Sequence, residues 1–232
     1  MQLFYVPDIS IHPVLSGEES GHCVRVLRLD IGDAVRITDG RGFFYDAVIE
    51  RPHPKHCEVR IERKWQQPAL WNFRLHIAVA PTKNMDRMEW FVEKATEIGI
   101  DAVTCLNCRF SERREIKLAR LEKITVSAIK QSQKATLPLL EGMTDFREFV
   151  KRPFDGQKFI AHCGTGEKQL LKACYHPGSH ALVLIGPEGD FSPEEVNMAL
   201  EQGFQPISLG ESRLRTETAA LVACHTLQLL NQ

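Results

Sequence analysis

Apolar and polar residues alternate over short segments in the first third of the chain, and this pattern predicts β-strands. The alternating segments are 3–6, 33–38, 43–49 and 58–62. Gly and Pro residues punctuate the stretches between them. The segment 21–28 is an exception and predicts a short helix with His22, Arg25 and Arg28 along one side. Residues 1–69 therefore predict a small β-barrel that ends in a linker.

From Phe73 onward, apolar strands alternate with amphipathic helices, which is typical of an α/β domain with a largely parallel sheet. The predicted strands are 73–80, 101–106, 157–161, 181–185 and 206–209. One helix carries the apolar stripe Met88 to Ile98, which we interpret as core, and stops at Gly99. A longer helix runs through Leu118 to Ile129. We predict a second domain over residues 72–232.

The composition of the 232 residues, with 43% hydrophobic and 25% charged, is that of an ordinary globular protein. The chain has no apolar run of about 20 residues that could span a bilayer. It begins without a secretory leader pattern, so we expect a cytoplasmic protein with no membrane association. Seven scattered cysteines predict reduced thiols. Cys105 and Cys108 have the spacing of metal ligands but lack a second pair, and we expect no metal site.

The net charge of −1 argues against a polyanion-binding surface over the whole molecule. Between Arg109 and Lys134, however, eight Lys or Arg residues stand against three Glu residues. We call this segment the basic strip, and its longer helix is expected to carry it. A phosphate-contacting surface and an ordinary solvated helix face are equally compatible with it.

The sharpest local signal is a buried strand, 181–185, that breaks into the glycine loop 186–191. Ser192, Pro193 and Glu195 then predict a helix start with a capping box. Glycines before such a helix let a ligand approach the backbone closely, because no Cβ intervenes.

A similar arrangement recurs about twenty residues later. The strand 206–209 leads into Gly210 to Leu214, and a helix then opens at Arg215. Two loops at the carboxyl ends of two strands predict a ligand crevice, although each alone could be a tight turn. No phosphate-loop motif is present, and Gly164-Thr165-Gly166 lacks the third glycine of a dinucleotide fingerprint, which disfavours kinases and NAD enzymes.

Three motifs in this region carry a family resemblance: Leu184 to Gly189, Leu209-Gly210, and Leu214 to Ala219. Together they resemble the RsmE family, whose members methylate ring nitrogen 3 of a uridine in small-subunit (16S) ribosomal RNA. Further matches, in the expected order, are His22 with Val26-Leu27-Arg28, Glu93 to Gly99, and Gln131-Ser132. Two residues depart from the family pattern: Asp190 stands where a third glycine is common, and Lys134 where arginine is expected.

The resemblance implies a SPOUT-type α/β domain with a trefoil knot, an N-terminal PUA-like β-barrel that binds RNA, and a homodimer. It also implies that S-adenosylmethionine binds in the knot. The cofactor-binding residues implied are Gly186, Pro187, Glu188, Gly189, Leu209, Gly210, Leu214 and Thr218.

Uridine nitrogen 3 is protonated at neutral pH, so the reaction needs a base or a stabilised anion. We predict Arg215 as the anion stabiliser and Glu217 as the proton acceptor or orienting group, with a structural Arg215–Glu217 ion pair as the alternative. The expected RNA contacts are His22, Arg25, Arg28, Arg113 and Arg114. Two other functions stay open: a methyltransferase of the same fold that acts on another RNA, and a noncatalytic RNA-binding or ribosome assembly protein.

Overall fold

The structure, a computed structural model, describes residues 2–232. The chain divides into two compact units. The N-terminal unit contains residues 2–69 together with Val126–Leu137, and the C-terminal unit contains Leu70–Thr125 together with Pro138–Gln232.

The N-terminal unit is built on a four-stranded sheet in the order β1-β2-β3-β4. Its strands are β1 (Leu3–Tyr5), β2 (Ala34–Thr38), β3 (Phe43–Arg51) and β4 (Glu58–Gln66). β1 pairs parallel with β2, and the other two pairings are antiparallel. Alternate residues of β3, including Tyr45, Ala47 and Ile49, are buried in the core of this unit. The four strands predicted from alternation are therefore confirmed.

The helix predicted at 21–28 starts earlier and ends earlier than expected. Helix α1 (Gly17–Gly21) begins at Ser16, whose side chain accepts a hydrogen bond from the backbone N–H of Glu19. A π-helical segment follows at His22–Val26, and Arg28, with φ of 57°, lies beyond its end. His22 is half-buried against the ring of Phe4, at 6.3 Å between ring centroids. The missed signal is Ser16, a favourable N-cap residue.

The segment Val126–Leu137 belongs to the N-terminal unit through buried polar contacts. Lys130 Nζ lies 2.7 Å and 2.8 Å from the two carboxylate oxygens of Glu19. Thr38 Oγ1 donates to the carbonyl of Ala135 at 3.1 Å. Lys130 of the basic strip is thus engaged by a carboxylate within its own unit.

The C-terminal unit contains a seven-stranded sheet in the order β7-β6-β5-β10-β8-β11-β9, in which all pairings are parallel. Its strands are β5 (Leu75–Val79), β6 (Ala102–Asn107), β7 (Leu139–Asp145), β8 (Gln157–Ala161), β9 (Gln169–Leu170), β10 (Ala181–Ile185) and β11 (Gln205–Ser208). The predicted parallel α/β architecture is confirmed. The two edge strands were not predicted from the sequence, because β7 contains Gly142 and alternates weakly, and β9 has only two residues.

Six further helices follow in the chain: α2 (Met85–Ile98), α3 (Leu118–Gln131), α4 (Phe146–Phe149), α5 (Leu171–Cys174), α6 (Pro193–Glu201) and α7 (Thr216–Leu229). α2 ends at Gly99 as expected, with φ of 130°, and α7 packs against α2. α3 begins at Leu118, so the expectation that one helix carries the basic strip is wrong for residues 109–117, which precede it. Among residues 2–232, no helix is long and apolar enough to cross a membrane.

The central strand β10 is buried along its whole length between β5 and β8. Val183 and Ile185 belong to the core on one face of the sheet, and Leu182 and Leu184 to the core on the other. A parallel sheet covered on both faces requires such a continuous apolar strand. The trefoil knot implied by the resemblance stays a prediction.

Candidate active site

The first glycine loop follows β10 and is shaped by close packing at Gly186. A Cβ at this position would lie 3.1 Å from Cδ2 of Phe191 and 3.2 Å from its backbone nitrogen. Thr216 Oγ1, in the first turn of α7, donates to the carbonyl of Gly186 at 3.1 Å. The loop backbone is therefore held at a fixed distance from the start of α7.

The helix after this loop begins as predicted. Ser192 and Glu195 form a reciprocal capping box, and Pro193 is the first residue of α6. Glu195 Oε1 also accepts the backbone N–H of Arg109 at 2.8 Å. This second bond fixes the chain that follows β6 against the same helix start.

Asp190, the departure from the family pattern, keeps the left-handed conformation that glycine would favour, with φ of 68°. Its Oδ1 accepts the backbone N–H of Phe191 at 2.9 Å. Its Oδ2 accepts the backbone N–H of Cys163 at 2.8 Å. The carboxylate therefore joins the first glycine loop to the loop that follows β8.

The second glycine loop follows β11 and reverses at Gly210, which has φ of 134°, and among the described residues no neighbouring atom lies within 4 Å of the position that a Cβ would take. Ser208 Oγ donates to the carbonyl of Gly210 at 3.0 Å. The loop ends at Arg215, the N-cap residue of α7. Both predicted loops thus lie at the carboxyl ends of parallel strands, β10 and β11, which flank β8 in the sheet, and both lead to helices.

The two loops enclose a cavity of about 640 Å³, here called the first cavity. That volume lies within the range of typical small-molecule sites. Of the predicted cofactor residues, six line it: Gly186, Pro187, Glu188, Leu209, Gly210 and Leu214. Gly189 is not among the lining residues and packs close to Phe110, and Thr218 lies in a different cavity.

A third wall of the first cavity was not predicted from the sequence. It is formed by Ala161, His162, Cys163 and Lys168 around the loop after β8. Lys168 Nζ donates to the carbonyl of His162 at 2.8 Å. Burial, and secondarily the charge of Lys168, lowers the pKa of His162. Gly164 and Gly166, next to a predicted strand, were the available signal.

A second cavity of about 350 Å³ lies where the first turns of α2 and α7 meet. Its lining residues are Asp86, Arg87, Trp90, Arg215, Glu217 and Thr218. Arg215 lines both cavities, so they share a wall.

Glu217 is the most buried charged group of the second cavity. Only 8% of its side chain is exposed, and its Oε1 lies 3.8 Å from Arg87 Nε. Its Oε2 is buried without a hydrogen-bond partner among residues 2–232. Such an unsatisfied acceptor costs roughly 1–3 kcal/mol. The cation beside Glu217 is thus Arg87, and within the described chain no ion pair joins Glu217 to Arg215.

The predicted RNA-contacting residues differ in whether their side chains are exposed or already hydrogen-bonded within the chain. Arg113 is fixed within the C-terminal unit, where its Nε and Nη2 donate to the carbonyls of Thr82 and Lys83 at 3.1 Å and 2.6 Å. Arg114 is exposed. Arg25 and Arg28 are exposed in the N-terminal unit.

Cys105 and Cys108 are both buried, and burial raises the pKa of Cys105 to about 12 and also raises that of Cys108. Such thiols do not ionise at neutral pH, and a thiolate is the metal-binding form. Within residues 2–232, no group of three or more His, Cys, Asp or Glu side chains is placed to hold a metal ion.

Comparison with known families gives two matches. Residues 69–228 match the RNA methyltransferase domain, which covers more than half of the chain. The chain belongs to this RNA methyltransferase family. Residues 15–62 match the RNA methyltransferase PUA domain, so both the enzyme class and the PUA-like N-terminal region expected from the resemblance are confirmed.

Solved structures resemble the methyltransferase along its whole length. A probable rRNA-methyltransferase from Porphyromonas gingivalis is 48% identical with a TM-score of 0.94, and 99% of each chain is covered. The ribosomal RNA small subunit methyltransferase E from Neisseria gonorrhoeae, solved bound to S-adenosyl methionine, is 27% identical with a TM-score of 0.87. That match covers 100% of the methyltransferase and 98% of the other chain.

Curated relatives agree with this assignment. A protein named ribosomal RNA small subunit methyltransferase E from Mycobacterium tuberculosis is 29% identical over 98% of the methyltransferase and 91% of that protein. One of the same name from Bacillus subtilis is 26% identical over 90% and 86%, respectively. The family resemblance carried by the glycine-loop motifs is therefore confirmed.

Proposed function

We propose that the methyltransferase transfers the methyl group of S-adenosylmethionine to ring nitrogen 3 of a uridine in 16S ribosomal RNA. One observation carries the proposal: a cavity lined by the two predicted loops shares Arg215 with a second cavity that contains Glu217, whose buried Oε2 has no hydrogen-bond partner among residues 2–232. The names of its relatives support ribosomal RNA as the substrate and S-adenosylmethionine as the cofactor.

The residues of the first cavity fit this cofactor. Ile185, Ile207 and Leu209 offer apolar surface, and Gly210 leaves space that a side chain would otherwise occupy. We assign cofactor binding to Gly186, Pro187, Glu188, Gly189, Leu209, Gly210, Leu214 and Thr218. Gly189 acts there through loop shape, and Thr218 from the side of the second cavity. When bound, the cofactor supplies an electrophilic methyl group.

The second cavity supplies the acid–base chemistry. Uridine nitrogen 3 carries a proton at neutral pH, so its electron pair becomes available only when a base removes that proton. We assign this role to Glu217, whose Oε2 has no hydrogen-bond partner in the described chain. Arg215 stabilises the negative charge that spreads over nitrogen 3 and the ring carbonyls. With the cofactor held in the first cavity, the electron pair of nitrogen 3 would bond to the methyl carbon while the bond from that carbon to the cofactor sulfur breaks, and the neutral thioether would leave.

RNA binding is assigned to both regions of the chain. We propose that residues 1–69 form an RNA-binding domain and that residues 72–232 form the catalytic domain. His22, Arg25 and Arg28 contact RNA in the first region, and Arg113 and Arg114 in the second. Exposed arginines such as Arg114 suit phosphate contacts. Arg113 contributes only the donors that the carbonyls of Thr82 and Lys83 leave free.

We further propose a homodimer that acts in the cytoplasm on the small ribosomal subunit. The family resemblance and the ribosomal substrate support these assignments. Light scattering of the purified chain tests the dimer, because a dimer should have twice the 26.4 kDa of the single chain.

The proposed function is tested by transfer of labelled methyl from S-adenosylmethionine to small subunits that lack the modification. Naked ribosomal RNA and transfer RNA run in parallel as alternative substrates. Label at one uridine of 16S ribosomal RNA is the expected result. Label in transfer RNA alone would show that the substrate is transfer RNA, while the reaction would still be methyl transfer from S-adenosylmethionine. Cofactor binding without transfer to any of these RNAs would contradict the proposed substrate class.

A further inference from the structure

The second cavity combines an aromatic ring, two guanidinium groups and two carboxylates in one small space. Trp90 is 42% exposed and lies on α2, and Arg87 lies one turn before it on the same helix. Arg215 and Glu217 come from the start of α7. We propose that this cavity binds the target base of the RNA, with Trp90 as the stacking surface and Glu217 selecting uracil against cytosine.

The unpartnered oxygen of Glu217 is the observation that points to a ligand. A carboxylate oxygen that is removed from water and makes no hydrogen bond is unfavourable in the folded chain. An N–H group placed in the cavity would satisfy it. Arg87 does not do so, because its Nε lies 3.8 Å from the other oxygen, Oε1. Among residues 2–232, the cavity therefore provides no hydrogen-bond donor to Oε2.

The Watson–Crick edge of uracil has the complementary pattern. It presents a carbonyl oxygen, the N–H of nitrogen 3 and a second carbonyl oxygen, in that order. Glu217 can accept from the N–H, while Arg87 and Arg215 can donate to the carbonyl oxygens. Cytosine has no proton on nitrogen 3 and would place a lone pair against the carboxylate. Glu217 thus favours uracil before any chemistry occurs.

Trp90 supplies an aromatic surface on which the target base can stack after it leaves the RNA helix. A base whose Watson–Crick edge is to be modified must be unpaired or flipped out, and aromatic side chains commonly receive such a base. Asp86, the remaining carboxylate of the cavity, is 3.6 Å from Arg120 and is exposed, so it competes little for the base edge. Arg215 lies between this cavity and the first, which places the base edge next to the cofactor site.

This inference rests on the proposed function, and substitutions at Trp90 test it. Trp90→Phe keeps an aromatic face, Trp90→Leu keeps only an apolar surface, and Leu139→Ala is a control at an exposed apolar residue of β7. Base–aromatic stacking predicts that Trp90→Leu lowers kcat/KM for small subunits roughly tenfold to a hundredfold. Trp90→Phe and Leu139→Ala should stay within about threefold of the unmodified chain, with cofactor Kd unchanged throughout.

Equal activity of Trp90→Leu and Trp90→Phe would overturn the stacking role. A loss of activity in Trp90→Leu that accompanies a changed particle mass in light scattering would also overturn it, since α2 would then form a subunit contact. If the unmodified chain transfers no methyl group to any RNA, the proposed function itself fails. If only the proposed base pocket is wrong, the unmodified chain still transfers methyl groups to RNA.

Selection of uracil is tested by competition. Small subunits that carry cytidine at the mapped position should inhibit the unmodified chain at least tenfold more weakly than subunits with uridine. Glu217→Gln should narrow this difference, because an amide can donate a hydrogen bond to nitrogen 3 of cytosine. Equal inhibition of the unmodified chain by both kinds of subunit would overturn the selective role of Glu217.

Discussion

The two cavities of the C-terminal unit are made from different parts of the chain. The first is lined largely by loops after β8, β10 and β11, and its lining includes Gly186 and Gly210 beside the apolar residues Ile185, Ile207 and Leu209. The second is lined by side chains from the first turns of α2 and α7, and four of its six lining residues are charged. Backbone and apolar surface suit a ligand of fixed shape. Charged side chains suit a ligand recognised by its hydrogen-bonding edge.

This difference predicts how each cavity responds to substitution. In the first, a change matters when it adds volume to the loops. In the second, a change matters when it removes a functional group. Four sets of substitutions test this comparison, three within the cavities and one outside them, and they are given in order of decreasing effect.

Removing the functional groups of the second cavity should have the largest effect. Glu217→Gln and Arg215→Ala are each expected to lower methyl transfer at saturating cofactor by roughly 10²- to 10⁴-fold, because proton removal and anion stabilisation are lost. Single-turnover transfer of labelled methyl measures this rate, and calorimetry checks that cofactor Kd changes little. Unchanged turnover in both variants would show that neither residue takes part in the chemistry.

Added volume in the first cavity should come next. Gly186→Val places side-chain atoms where a Cβ already lies 3.1 Å from Phe191, and it should weaken cofactor binding by about a hundredfold or more. Gly142→Val in β7 is the matched control, because no atom lies within 4 Å of its Cβ position. Calorimetric titration with S-adenosylmethionine measures both. Equal Kd values for the two variants would contradict the placement of the cofactor.

The link between loops at Asp190 should matter less. Asp190→Gly keeps the positive φ but loses the hydrogen bonds to Phe191 and Cys163, so cofactor Kd should rise roughly three- to tenfold. Asp190→Ala should lower the free energy of unfolding by about 1 kcal/mol more than Asp190→Gly, because alanine is strained at φ of 68°. Denaturant titration measures that difference, and equal stability of the two variants would rule out backbone strain here.

The smallest effect is expected for a single phosphate contact outside both cavities. Arg114→Ala should reduce the slope of log affinity against log salt concentration by about 1, with cofactor Kd unchanged. Lys151→Ala, at another exposed cation of the same unit, is the control. Unlike Arg114→Ala, Arg113→Ala should raise the Kd of the cofactor. Arg113 donates to the carbonyl of Lys83, and the backbone N–H of Lys83 donates to Glu188 in the first cavity. Identical salt slopes for Arg114→Ala and Lys151→Ala would move the RNA surface elsewhere.

The sequence predicted the first cavity because its information is local. A buried strand, a glycine loop and the capping residues Ser192 and Glu195 lie within fifteen residues of one another, and each has a direct structural meaning. The third wall was not predicted, because Gly164 and Gly166 were compared only with the glycine motif of dinucleotide-binding proteins. The loop after β8 is joined to the first glycine loop by the hydrogen bond from Cys163 to Asp190, which are 27 positions apart in the chain.

The second cavity could not be predicted in the same way. The apolar stripe of α2 was correctly interpreted as core, since Met88, Phe91 and Val92 are buried. Its polar face lines the cavity only because α7, over a hundred residues later, packs beside it. Helix geometry also separates Thr216 from Thr218. Two residues correspond to about 200° around a helix, so Thr216 contacts Gly186 while Thr218 lines the second cavity.

The central claim is that the second cavity presents the Watson–Crick edge of a uridine to the cofactor in the first. Its most direct test is the chemical identity of the methylated nucleoside, obtained by digesting the labelled small-subunit RNA and separating the products by liquid chromatography and mass spectrometry. We expect 3-methyluridine as the single labelled product. Label on the ribose 2′-oxygen or on carbon 5 of the base would contradict it, because neither position lies on the edge that Glu217 and Arg215 are placed to bind.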